Sequence, residues 1–169
     1  MLRRLRENGP VILVPLAWTF ATAAHLDLLA VRTVRIAHYV MLTIIAAFTV
    51  LSWGEMTEGV LLVWKRVLVA GFVVTLGGTV GLLATPPSTA LLSATIVGWM
   101  LVPAAGLVYT GRQVDRHPRV YTAGAALSVA GVVAYVLGLG VGVAALPVVG
   151  LTLTNVGQTA GIVAAVSDY

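Results

Sequence analysis

The sequence predicts an all-α fold, a polytopic transmembrane helical bundle of six spans with both termini cytoplasmic. Three observations carry that expectation. Apolar residues are 59% of the 169, charged residues only 9%, and the mean hydropathy is +1.01. Soluble domains run at about 45–50% apolar and about 25% charged, so this chain has too little charge to cover a water-facing surface. The apolar residues also fall into six segments near the roughly 20 residues that a helix needs to cross hydrocarbon. Finally, the basic residues divide unevenly between the two sides that six spans would define.

The spans are predicted over 11–31, 36–53, 67–84 (or from near Val60), 89–109, 120–137 and 143–166. Arg32-Thr33-Val34-Arg35 joins the first pair. Gly54-Glu55-Met56-Thr57-Glu58-Gly59, followed by Trp64-Lys65-Arg66, joins the second. Thr85-Pro86-Pro87-Ser88 is a helix stop followed by an N-cap. The most polar connection runs from Gly111 to Arg119, and Gly138-Leu139-Gly140-Val141-Gly142 reads as a glycine turn. No connection is long enough to fold by itself, so residues 1–169 are expected to form one integral membrane domain of three consecutive hairpins. Arg3, Arg4 and Arg6, an apolar run and Ala21-Thr22-Ala23-Ala24 also have the layout of a secretory signal peptide. The segment stays apolar to Val31, long enough to span, and its retention is expected.

Arg3, Arg4, Arg6, Lys65, Arg66, Arg112, Arg116 and Arg119 fall on one side, and Arg32 and Arg35 on the other. Lys and Arg accumulate in cytoplasmic loops, which sets the orientation and a multi-pass cell-membrane location. Basic residues scattered through short loops serve orientation, not nucleic acid, despite a pI near 10.0. The absence of Cys excludes disulfides and thiolate chemistry. The expected partners are the lipid bilayer and further membrane subunits, including copies of this chain.

Glycine marks the packing. Gly124, Gly131 and Gly138 recur every seven residues, as do Gly150 and Gly157. Such a repeat keeps one face toward one partner. In a hairpin turning near Gly140, Gly131 falls level with Gly150 and Gly124 with Gly157. Small residues let membrane helices approach closely where lipid offers no hydrophobic drive. Pro103 and Pro147 lie within or near spans, where proline tends to kink a helix. Trp53, Trp64, Tyr109 and Tyr121 are placed at span ends, as an aromatic belt requires.

Polar groups within spans are costly and mark candidate sites. His25 and His38 flank the first connection at similar distances, roughly 10 Å from its end at 1.5 Å per residue. Two imidazoles at equal depth on a packed hairpin can ligate one metal ion or the two faces of a haem, with Asp27, Arg32 and Arg35 nearby. Asp27 lies about 200° around the helix from His25 and is poorly placed to orient it. Against this, a third ligand is missing and adjacent helices leave little room for a porphyrin. The second candidate is the sixth span, where Thr152, Asn155, Gln158 and Thr159 fall within an arc of roughly 120°. They can line a polar path or bond neighbouring helices, and bonding is favoured because no acidic residue joins them. Glu55, Glu58, Asp115 and His117 sit in loops, where a solvated surface is their ordinary role.

Motifs for phosphate loops, zinc-protease helices or a Ser-His-Asp set are missing. The expected function is a non-catalytic accessory or permease-like membrane component. The alternative is a bis-histidine haem- or metal-binding electron-transfer protein.

Overall fold

The computed structural model describes residues 2–167 and, within the first helix, the surroundings of Gly9 and of the residues from Val11 onward. The side chains of Arg3, Arg4 and Arg6, counted above for orientation, lie outside the described residues. Six helices follow in order: α1 Leu2–His25, α2 Val31–Leu51, α3 Gly59–Leu83, α4 Thr89–Gln113, α5 Pro118–Val141 and α6 Ala145–Ser167. No strand occurs among the described residues. Helices α2 to α6 are each long and apolar enough to cross a membrane, whereas the apolar stretch of α1 is Val11–His25.

Several boundaries differ from the sequence expectation, each for a local reason. The first span stops at His25 and does not run to Val31. There Asp27 takes a left-handed conformation with φ 56°. The Leu28 amide then reaches the Ala23 carbonyl and the Asp27 amide the Ala24 carbonyl, which closes the helix end. Trp64, Lys65 and Arg66 belong to α3, which starts at Gly59. Gly138 and Gly140 are helical, and the turn comes at Gly142, whose φ is 69°. Ser88 caps α4, its hydroxyl accepting from the Leu91 amide.

Helices α2 to α6 pack each on the next, so across the bundle they follow chain order. The first hairpin is the exception and corrects the expectation of three hairpins. Instead of packing along α2, α1 docks on α6 at the other side of the bundle, and α2 packs on α3. Pairs that run in opposite order along the two partners show the antiparallel sense: Arg35 with Leu82 and then His38 with Gly78 for α2 and α3, and Gly81 with Leu91, Gly71 with Trp99 and Val67 with Gly106 for α3 and α4.

The tightest contact is α5 on α6. A Cβ added at Gly124 would strike the Gly157 carbonyl. One at Gly131 would strike the Gly150 carbonyl and Thr154, and one at Gly138 would strike Pro147. Two apolar clusters fill the rest. One joins Ala104 and Leu107 of α4, Tyr121 and Ala125 of α5, and Ala164 of α6. The other joins Trp18, Met100, Tyr135 and Leu151 from four different helices. Tyr121 is therefore a core residue, 2% exposed, and not a belt residue.

Buried hydroxyls are returned to their own helices. Thr75, Thr110, Ser128 and Thr154 each donate to the carbonyl four residues earlier. An unbonded hydroxyl in an apolar interior costs about 1–3 kcal/mol on protein mutational data, and this local bond avoids the cost. Among the described residues, the buried hydroxyls of Thr49 and Ser52 at the α2 end meet no partner.

Candidate functional site

The first-hairpin residues do not converge. His25 closes α1, and its ring lies 5.5 Å from that of Tyr135 on α5. The buried Tyr135 in turn meets Ser93 of α4. His38 bonds the Val34 carbonyl through Nδ1 at 3.0 Å, and its other nitrogen faces Gly78 of α3 beside Thr95 of α4. Ser93 and Thr95 stand about 200° apart around α4, so Tyr135, which His25 meets, and His38 lie against different sides of that helix. The premise of a packed α1–α2 hairpin is thereby corrected, because α1 packs on α6 and not along α2. Among the described residues, no group of three or more His, Asp or Glu is placed to hold a metal ion.

Arg35 caps the last turn of α3, donating through Nη2 to the Leu82 carbonyl at 2.9 Å. Carbonyls in a last turn lack helical partners, so this bond satisfies one of them. Its Nε is buried and meets no partner. Arg32 and Asp27 are exposed, as are Glu55, Glu58, Asp115 and His117 in the connections.

The sixth-span set divides into two sites. Gln158, 4% exposed, faces inward. Its Oε1 accepts from the Trp18 indole at 3.0 Å, and its Nε2 donates to the Trp99 carbonyl at 3.0 Å and to the Met100 carbonyl at 3.3 Å. The choice of carbonyl has a cause. Pro103 sits inside α4 and has no N–H, so the Trp99 carbonyl four residues earlier loses its helical donor. Gln158 supplies that donor from another helix. The Trp99 indole extends the network to Thr75 of α3 at 3.0 Å. One amide thus ties α1, α4 and α6, with α3 one step further.

Thr152, Asn155 and Thr159 turn the other way. Asn155 is half-buried, and its Oδ1 accepts from Thr159 at 3.1 Å. Thr152 and Asn155, with Thr19, Thr22, Ala23, Leu26 and Leu28 of α1 and its following turn, line a groove of about 320 Å³ that is open to the surface. At 1.5 Å per residue, Asn155 lies about 15 Å along α6 from Ala145. The groove therefore reaches from the end of the bundle to mid-depth.

Sequence reasoning missed Trp18 and Trp99 as network members, and Thr19 and Thr22 as lining. The signals were present. An indole N–H in mid-span needs an acceptor, and Thr19 and Thr22 share a helix face at a spacing of three.

Membrane-length apolar helices around a core that spends its polar groups internally define an integral membrane helical-bundle protein. The chain matches no protein-family model, no curated protein and no solved structure.

Proposed function

We propose that the chain is a non-catalytic accessory component of a cell membrane, one that works through its lateral faces and has both termini in the cytoplasm. The observation that carries this is the Gln158 network, in which the buried amide bonds α1, α4 and α6 together. A solvated path needs polar groups free to meet solute, and this amide is already committed to holding helices. The polar groups left over, Asn155 and Thr152, face the α1–α6 groove. The antiparallel packing supports the orientation. It gathers Lys65, Arg66, Arg112, Arg116 and Arg119 at one end of the bundle and Arg32 and Arg35 at the other.

Two measurements test this reading. Extraction of the tagged protein in mild detergent, followed by native mass determination, should give a complex heavier than the monomer. A strictly monomeric protein that carries solute across liposomes would overturn the accessory role. Because the chain has no Cys, single cysteines at Leu28 and Asp115 can report sidedness. A membrane-impermeant maleimide applied to intact cells should label the first and spare the second, and the reverse pattern overturns the orientation.

A further inference from the structure

We propose that the α1–α6 groove binds an uncharged amphiphile whose carbonyl or hydroxyl oxygen accepts from Asn155 Nδ2. The proposal rests on the accessory reading only in taking a lateral face as the working surface.

The donor and acceptor inventory defines the ligand. With Asn155 Oδ1 accepting from Thr159, the amide nitrogen keeps both N–H groups, and no protein acceptor meets them among the described residues. The three lining hydroxyls have their hydrogens committed. Thr19 donates to the Pro15 carbonyl, Thr22 to the Trp18 carbonyl and Thr152 to the Val148 carbonyl, at 2.8, 2.8 and 2.9 Å. The groove therefore presents N–H donors from one residue and oxygen lone pairs from three. An ester carbonyl satisfies the amide. A hydroxyl satisfies the amide and, with its own hydrogen, a threonine oxygen.

Charge and shape narrow the class. The lining carries no ionisable side chain. At mid-depth in hydrocarbon an ionic group would meet no counter-charge, so the bound group is neutral. Ala23, Leu26 and Leu28 supply an apolar wall on the α1 side, suited to a hydrocarbon chain. The volume of about 320 Å³ sits at the small end of ligand pockets, about 300–1,000 Å³, with their mostly apolar lining and few polar groups. A second copy of the chain would instead need a surface running the length of a helix. The half-buried Asn155 is recessed between two helices.

The oxygen can come from the ester carbonyl of an acylglycerol or from a lipid hydroxyl. The full chain in phosphatidylcholine nanodiscs is titrated with radiolabelled 1,2-dioctanoylglycerol and separately with its dialkyl ether analogue, which keeps the hydroxyl and lacks the carbonyls. Saturable binding is expected, weakened at least ten-fold by Asn155→Leu. Ala23→Phe, which fills the groove from the α1 side and leaves residue 155 as Asn, should abolish it and serves as the second variant where Asn155→Leu fails to fold. Binding of the ester alone assigns the carbonyl, and equal binding of both assigns the hydroxyl. Either supports the site. Equal binding by wild type and both variants overturns it, as does a dimer that Asn155→Leu dissolves while no amphiphile binds. A heavier native complex without amphiphile binding sinks the groove and leaves the accessory role. Solute flux by a monomer that binds the amphiphile does the opposite.

Discussion

Replacing Gln158 by Leu removes two different kinds of bond at once, and the proline in α4 makes them separable. The substitution strips the acceptor from the Trp18 indole and the donor from the Trp99 carbonyl. The Met100 carbonyl is less exposed to the loss, since the Ala104 amide remains its helical donor. In soluble cores a buried group left unpaired costs about 1–3 kcal/mol. Between membrane helices, measured side-chain bonds average about 0.6 kcal/mol and reach about 1.7 kcal/mol. Two such bonds place the expected cost of Gln158→Leu at about 1–3 kcal/mol. In a Pro103→Ala background the restored amide at position 103 can donate to the Trp99 carbonyl within α4. Only the Trp18 bond is then at stake, and the cost should fall by about half.

The difference is a double-mutant coupling of roughly 0.5–1.5 kcal/mol. Reversible unfolding in detergent, or steric trapping in bicelles, measures all four proteins on one scale. Costs that add to within about 0.3 kcal/mol would refute the reasoning, since contacting residues that share a partner should not be additive. The Trp99 carbonyl would then not be the group that the proline leaves over.

Other substitutions probe packing and helix ends. Gly131→Leu drives a side chain into the Gly150 carbonyl and should cost at least about 2 kcal/mol of unfolding free energy, because backbone cannot repack. Gly140→Ala, in a helix with open space around it, should instead raise stability by about 0.5–1 kcal/mol in the same assay. Asp27→Gly should gain about 1 kcal/mol by relieving the left-handed backbone, and Asp27→Val should lose at least as much. Thr75→Val removes the acceptor of the Trp99 indole, with an expected loss of about 0.5–1.5 kcal/mol and altered tryptophan emission.

Legibility followed the strength of the local signal. The six apolar runs are readable because hydrocarbon demands length and apolarity of each span separately. The seven-residue glycine recurrence on α5 is readable as one face, and that face meets α6. The end of α1 was hidden because Asp is a weaker left-handed signal than Gly. The glycine turn was misplaced for the converse reason, since Gly138 is needed for close approach to Pro147 and not for a turn. Gln158 and Asn155 looked alike in sequence, on one arc and three residues apart. Only the position of α1 separates them, with Gln158 beneath Trp18 and Asn155 in the groove beside it.

That position of α1 has a physical account. The turn between α1 and α2 is short enough for a hairpin, so chain connectivity alone favours packing them together. Side-chain chemistry outweighs it at both helices. On α2, Arg35 finds an unsatisfied carbonyl at the α3 terminus and His38 fits against Gly78, where a Cβ would collide with its ring nitrogen. On α1, Trp18 carries an N–H that must be paired, and Gln158 offers the acceptor. That amide is itself held in place by the carbonyl exposed at Pro103. Each helix of the first pair is thus drawn to a backbone carbonyl, α2 directly at the end of α3 and α1 through Gln158 at the Trp99 carbonyl of α4. The contact between α1 and α2 is given up, and α1 instead forms with α6 the groove that Asn155 faces.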